Sequence, residues 1–273
     1  MIGTEPTSAC EKVSLWDSFA TAVQFLTRIP IPGPMQGTPT YYQQALSRSV
    51  VFFPLVGSLV GVLTAASALA ASQVFSPLVC GLIAIGLETL ITGAFHEDGF
   101  ADSWDALGGG WTRERVLEIM KDSRLGTYGT TSLIIGLGLR VATTAALLPS
   151  GWLWTLASIV AASTLGRVAI LGMMISTEPI PGRDSHAKDI SGTQSWKTLI
   201  VAVVMTWPMW GIWIWLSPIV AGATLAVVVL ALWRFRKTIL VRVGGTTGDL
   251  LGCSAFLTQL IVLIGSTWRL DHA

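Results

Sequence analysis

The sequence has few charged residues and few cysteines, and both shortages restrict the class of protein. Only 12% of its 273 residues are charged, against about a quarter in soluble domains, whereas 52% are hydrophobic. The three cysteines, Cys10, Cys80 and Cys253, lack metal-ligand spacing and indicate no disulfide framework. A net charge of +1 argues against nucleic acid as a partner. We therefore expect the lipid bilayer to be the main solvent of the chain.

Long uncharged runs take the place of the missing charges. About 20 apolar residues cross the hydrocarbon core as a helix, and 198–233 is too long for one crossing. Pro218 near its middle predicts a break into two spans. We predict an all-α polytopic bundle, one membrane domain over 1–273 with about seven transmembrane helices between 50 and 268. The predicted spans are 50–71, 74–95, 128–148, 152–175, two within 198–233, and 250–268.

The basic residues predict which way the bundle faces. The segments 1–49, 96–127, 176–197 and 234–249 carry 14 of the 17 Lys and Arg residues, so the positive-inside rule places them in the cytoplasm. Within the first segment, apolar residues on one face of 14–28 predict a helix too short to cross the membrane. An interfacial helix on the leaflet and a helix packed under the bundle fit this pattern equally well.

An acidic cluster follows the second predicted span. If the helix continues past the membrane, Asp98, Asp102 and Asp105 share one face, where their charges repel unless a cation neutralises them. Such oxygen ligands suit Mg²⁺ or Mn²⁺, with phosphate oxygens completing the shell. His96 is the candidate general base, although a structural or metal-ligating histidine fits as well. The alternative for the cluster is a solvated acidic helix end.

Two further polar passages could contact a ligand. Lys121 and Arg124 could bind phosphate on the same loop as the carboxylates, or simply contact lipid headgroups. A glycine-rich passage, 244–252, opens the last span, where Gly248 would let a ligand approach the backbone and Asp249 could contact metal or substrate. Capping and tight helix packing are the alternative explanation of this passage.

Three charged residues fall inside the predicted spans. Glu88 and Arg167 lie at a similar depth below the cytoplasmic surface and could pair, whereas Arg140 has no obvious partner at its level. Ions within a membrane often mark function, and a structural ion pair is the alternative explanation. A membrane transporter is therefore one alternative reading, although the densest polar clusters lie at one interface and not at the midplane.

The motifs resemble a known family. Residues 96–105, HEDGFADSWD, followed by 120–129, MKDSRLGTYG, resemble the cobalamin-5'-phosphate synthases, also called adenosylcobinamide-GDP ribazoletransferases. FLTRIP at 25–30 and GGTTGD at 244–249 are similar to the family's other landmarks, in the same order. The resemblance implies an enzyme of the bacterial inner membrane that completes the cobamide nucleotide loop. It would join α-ribazole or α-ribazole 5'-phosphate to adenosylcobinamide-GDP, release GMP and require Mg²⁺, with Mn²⁺ as a possible substitute.

The resemblance also implies roles for residues. Lys121 and Arg124 would bind phosphate, and Gly248 and Asp249 would contact substrate or metal. Glu97 departs from the apolar residue expected in the family. A CDP-alcohol phosphotransferase remains the other enzyme reading, but its Asp-x-x-Asp-Gly-x-x-Ala-Arg core is absent. The implied metal ligands are Asp98, Asp102 and Asp105, and the implied catalytic residues are His96, Asp98 and Asp102.

Overall fold

The structure, a computed structural model, describes residues 13–34, 38–122, 124–180 and 194–268. Over these residues it contains helices and no β-strand, so the all-α bundle predicted from the sequence is confirmed. Six helices are long and apolar enough to cross a membrane, or seven if one bent pair counts as a single span. The helices are α1 Leu15–Leu26, α2 Pro39–Ser49, α3 Phe53–Ala71, α4 Pro77–Thr92, α5 Phe95–Gly109, α6 Arg113–Ile119, α7 Thr127–Leu147, α8 Trp152–Ser176, α9 Trp196–Leu216, α10 Pro218–Arg242 and α11 Gly248–Ser266.

Helix α8 forms the centre of the bundle. It packs against α3, α9 and α11, and most of its side chains are buried. Hydroxyls of Ser58 and Thr164 lie 2.8 Å apart between α3 and α8, a polar contact of the kind that joins membrane helices. By contrast, α9 and α10 expose apolar side chains such as Val204, Trp215 and Leu230. These two helices therefore form a lipid-facing side of the bundle.

The N-terminal helix α1 packs against the bundle and also exposes apolar side chains, so it combines features of the two arrangements that the sequence left open. Ser14 caps it by accepting a hydrogen bond from the Asp17 backbone N–H at 2.9 Å. Val23 and Leu26 are buried against the bundle, whereas Leu15, at the start of the helix on the same face as Leu26, is 80% exposed. The helix is thus packed on the bundle and also presents an apolar edge. Helix α2 follows it and was not predicted.

The break at Pro218 is confirmed, but the helix after it is longer than predicted. Helix α9 ends at Leu216 and α10 begins at Pro218. The prediction that 234–249 is a loop is wrong over most of its length, because α10 continues to Arg242. The basic residues after 234 do not end the helix, because long basic side chains can reach water from a helix end. The first residue beyond 234 that breaks the helix is Gly244, which has a positive φ.

The second predicted span does not run straight into the acidic cluster. Helices α4 and α5 meet at an angle of 90° across residues 93–94. Gly93 and Ala94 both adopt left-handed backbone conformations, with φ of 66° and 59°. The expectation of one continuous helix is therefore corrected: α5 is a separate helix that turns across the end of the bundle.

The FLTRIP segment packs onto this bend. Phe25 stacks on Phe53 at 5.7 Å between ring centroids and meets Phe95 edge-on at 5.6 Å. The Arg28 side chain lies directly against Gly93, where any added Cβ would collide with it, and the Arg28 backbone N–H donates to the carbonyl of Ile91 at 2.6 Å. A landmark distant in sequence thus fixes the turn that leads into α5.

Candidate active site

The predicted polar loops meet at one end of the bundle. Arg113 Nε donates to the carbonyl of Val243 at 2.9 Å, joining α6 to the end of α10. The Thr246 backbone N–H donates to the carbonyl of Glu178 at 2.8 Å, which ties the glycine-rich passage to the segment after α8. We call the end of the bundle where these segments meet the loop end. Most of the predicted 176–197 loop, residues 181–193, lies outside the described residues.

Helices α5 and α11 cross at the loop end with almost no space between them. A Cβ at Gly99 would lie 2.7 Å from the backbone oxygen of Asp249, so only glycine permits this approach. Thr247 caps α11 by accepting a hydrogen bond from the Leu250 N–H at 3.3 Å. A Cβ at Gly248 would meet nothing within 4 Å, so the backbone there is open. The crossing brings α5 and Asp249 together.

The three predicted metal ligands have different surroundings. Asp98 is exposed on the first turn of α5, and Asp102 is half-buried one turn later on the same face. Asp105 is buried and accepts hydrogen bonds from the backbone N–H groups of Gly126 and Gly129, each at 2.7 Å. Within the described ranges no three His, Cys, Asp or Glu residues are grouped to hold a metal. Asp105 as a ligand stays a prediction, and its contacts favour a structural role.

Asp105 also brings the predicted phosphate-binding loop to the acidic face of α5. Lys121 is exposed on this loop. Arg124 is exposed too and pairs with Asp122, with its Nη2 2.6 Å and its Nε 2.9 Å from the carboxylate oxygens. These hydrogen bonds lower the pKa of Asp122 to about 2. Arg124 must therefore exchange this partner before it can bind a phosphate.

His96 lies inside the crossing and not on the open face. It is buried at the start of α5, where its ring meets Phe95 edge-on at 5.5 Å. Its Nε2 has no hydrogen-bond partner among the residues that the structure describes. The Cα of His96 is 3.7 Å from where a Cβ of Gly252 would lie, so α11 covers it. Its role as a base stays a prediction, and its burial favours a packing role.

Arg140 is the centre of a buried ion network. Its guanidinium lies 2.7 Å from Glu88 and 2.7 Å from Glu97, and all three side chains are buried. The Gln259 amide donates to the other oxygen of Glu88 at 2.6 Å. The prediction that Arg140 lacks a partner is therefore wrong. Glu88 and Arg167, which the sequence suggested could pair, form no direct ion pair among the described residues; the Arg167 guanidinium donates to the carbonyl of Ser163 at 3.2 Å.

This network was missed because the bend was missed. A straight helix would have carried Glu97 out of the bundle, whereas the turn at 93–94 directs its carboxylate back toward α7. The one signal in the sequence was the charge balance: two acidic residues, Glu88 and Glu97, accompany two basic residues in or beside apolar runs. Isolated buried ions are costly, so such a balance favours a shared site.

The family model and the relatives that match this chain all indicate one protein family. A family model described as cobalamin-5-phosphate synthase matches residues 18–267. The chain is 33% identical over 252 residues to the adenosylcobinamide-GDP ribazoletransferase of Ralstonia pickettii, covering 92% of this chain and 94% of that protein. It is 34% identical to the protein of the same name from Vibrio cholerae, over 93% of this chain and 94% of the relative. The corresponding Rhizobium meliloti protein is 35% identical over 91% and 95%. No solved structure matches the chain.

Proposed function

Because the chain belongs to the cobalamin-5-phosphate synthase family, we propose that it is an adenosylcobinamide-GDP ribazoletransferase of the bacterial inner membrane. The observation that carries the proposal is the crossing of Gly99 and Asp249, which joins two of the four family motifs, 96–105 and 244–249, in one site beside the exposed Asp98. The excess of basic residues in the loop segments supports a site that faces the cytoplasm.

The reaction transfers a phosphoryl-linked cobinamide to a hydroxyl. A hydroxyl oxygen of α-ribazole or its 5'-phosphate bonds to the phosphorus nearer the cobinamide. The bond from that phosphorus to the bridging oxygen breaks, and GMP leaves with the bonding electron pair. The hydroxyl proton passes to a base or to water. Negative charge develops on the transferred and leaving phosphates, so the site must supply positive charge.

Asp98 and Asp102 are suited to hold Mg²⁺. They are carboxylates one turn apart on one helix face, and Mg²⁺ is usually bound through one or two carboxylates plus substrate phosphates. Two protein ligands therefore suffice, and Asp105 can remain bound to the start of α7. The ion would neutralise charge on the pyrophosphate as it develops.

Side chains of the chain itself would supply further positive charge and alignment. Lys121 is exposed on the loop that Asp105 holds against α5, where its ammonium can meet a phosphate. Arg28 is exposed beside Gly93, at the end of α5 that carries Asp98. The sequence singled out Arg28 only as part of a landmark, and we add it as a phosphate-binding candidate. Gly248 leaves the α11 backbone open to substrate.

The two competing readings have less support. The transporter interpretation rested on charged residues inside the bundle. Two of them, Glu88 and Arg140, form a buried ion pair with each other, which explains their presence without a transport role. The CDP-alcohol phosphotransferase reading needs a core motif that the sequence lacks. Neither alternative explains why the glycine-rich passage lies against the acidic helix.

The direct test is release of GMP by the purified protein. With Mg²⁺ and adenosylcobinamide-GDP, we expect GMP only when α-ribazole or α-ribazole 5'-phosphate is added, and comparing the two acceptors gives the preferred one. Chelation of Mg²⁺ should stop the release. No GMP under any of these conditions, or turnover of a CDP-alcohol in its place, would refute the proposal.

A further inference from the structure

An apolar cavity lies beneath α5, on the side away from the proposed reaction site. Its volume is about 450 Å³, within the range of ligand pockets. Leu107 lies half a turn around the helix from Asp98, so the cavity and the acidic face lie on opposite sides of α5. We call it the interfacial pocket; it is bounded by Trp104 and Leu107 of α5, Tyr128 of α7, Arg234 and Phe235 of α10, and Leu257 of α11.

Two guanidinium groups line the pocket without a carboxylate to balance them. Arg234 is exposed, and its Nη1 donates to the hydroxyl of Thr238 at 3.0 Å. Arg242 Nη1 donates to the carbonyl of Leu107 at 2.6 Å and its Nη2 donates to the carbonyl of Gly110, so this guanidinium is held at the end of α5 by backbone carbonyls and not by a carboxylate. In the part of the chain that the structure describes, neither arginine forms an ion pair, and no Asp or Glu lines the pocket. The pocket thus offers positive charge to an anionic group.

The rest of the lining is apolar, and the flanking surfaces face lipid. Phe235 and Leu257 form part of the pocket wall. On either side, α7 exposes Ile134 and α10 exposes Leu230, each more than 60% exposed. Both helices pack against α11, whose Leu257 lines the pocket between them. A ligand for this place needs an anionic head and an apolar body, the two parts of a membrane phospholipid.

We propose that the interfacial pocket binds one anionic phospholipid of the surrounding leaflet. Its phosphate would lie at Arg234 and Arg242, and part of an acyl chain would lie along Phe235 and Leu257. A nucleotide fits less well, because its ribose would meet apolar walls. The bound lipid would support α5 from the membrane side, while the opposite face of the helix carries Asp98.

The test measures lipid retained by the purified full chain in detergent, using native mass spectrometry. With equal amounts of phosphatidylglycerol and phosphatidylcholine, we expect one phosphatidylglycerol to remain bound preferentially. Ala231→Trp fills the pocket and should abolish the preference, because Ala231 lines it. Ala226→Trp places the same ring on an exposed position of α10 outside the pocket and should leave the preference intact.

A charge variant tests the head-group contact separately from the steric one. Arg234→Gln should weaken phosphatidylglycerol retention about fivefold, the loss expected for one basic side chain at a membrane surface. Lys237→Gln is the matched control, since its ammonium lies over the Trp233 ring, 3.8 Å from the centroid, and does not line the pocket. Equal retention of both lipids, equal losses in both charge variants, or displacement of the lipid by α-ribazole 5'-phosphate would overturn the proposal. None of these readings depends on enzyme activity.

Discussion

Glu97 and Arg140 are 43 residues apart in sequence, yet Glu97 Oε1 and Arg140 Nη1 lie 2.7 Å apart inside the bundle. The contact joins the first turn of α5 to the middle of α7. Arg140 also lies 5.3 Å from the ring centroid of Phe256, and that ring stacks on Phe100 of α5 at 4.2 Å. One buried cation therefore joins α4, α5, α7 and α11 around the base of the proposed active site.

Replacing Arg140 with Gln should destabilise the bundle strongly. Two buried carboxylates, Glu88 and Glu97, would lose their cation, and removing one partner of a buried pair costs about 3–5 kcal/mol. We expect a marked fall in the thermal unfolding midpoint in detergent. Arg124→Gln is the control, because Arg124 pairs with Asp122 on the exposed surface and should change the midpoint little.

A combined variant separates charge from packing in the same network. Changing Glu88 and Glu97 to Gln together with Arg140→Met removes all three charges while keeping similar volumes, and should recover much of the stability that Arg140→Gln loses. If Arg140→Gln unfolds at the same temperature as Arg124→Gln, the network does not hold α5 in place.

The transmembrane helices could be predicted because each is a long apolar run, and Pro218 marks its break without help from the rest of the fold. The bend at 93–94 could not be, since Gly93 and Ala94 sit inside an apolar stretch with ordinary helical neighbours. Its cause is tertiary: Arg28 and Phe25 pack on the turn from a segment about 65 residues earlier.

In the candidate site, too, the local features could be predicted from the sequence and the features that depend on packing could not. Residues on one helix face, such as Asp98 and Asp102, follow from the helical repeat alone. The separate role of Asp105 depends on where α7 begins, since its carboxylate binds the N–H groups of Gly126 and Gly129. The burial of His96 depends on how closely α11 crosses α5, which local sequence does not determine.

The close crossing itself predicts an unusual response to alanine. Gly99→Ala should improve helix propensity, yet its Cβ would lie 2.7 Å from the backbone oxygen of Asp249 and force α5 away from α11. Overpacking of this kind costs about 1–3 kcal/mol, and we expect a lower unfolding midpoint together with loss of GMP release. Gly138→Ala in α7, where a Cβ meets nothing within 4 Å, should be neutral or stabilising. Equal behaviour of the two variants would contradict the tight crossing.

Asp105→Asn should act on stability more than on the metal. The substitution weakens two charge-assisted hydrogen bonds to the first turn of α7, each worth roughly 1.5–3 kcal/mol when intact. We expect the unfolding midpoint to fall while the Mg²⁺ concentration for half-maximal GMP release stays near its original value. A large rise in that concentration without loss of stability would instead make Asp105 a metal ligand.

Asp98→Asn should affect GMP release and its Mg²⁺ dependence more than the unfolding midpoint, the reverse of Asp105→Asn. Asp98 is exposed on the open face of α5, so losing its charge should leave the unfolding midpoint nearly unchanged. As a metal ligand it should be needed for catalysis, and we expect GMP release to fall at least about 100-fold, with part of the loss recovered by raising Mg²⁺ or substituting Mn²⁺. Asp102→Asn should give the same recovery if both carboxylates hold one ion. Unchanged activity in both variants would return the acidic face of α5 to a solvated helix surface, and the metal would then have to be held by phosphate oxygens and residues elsewhere at the loop end.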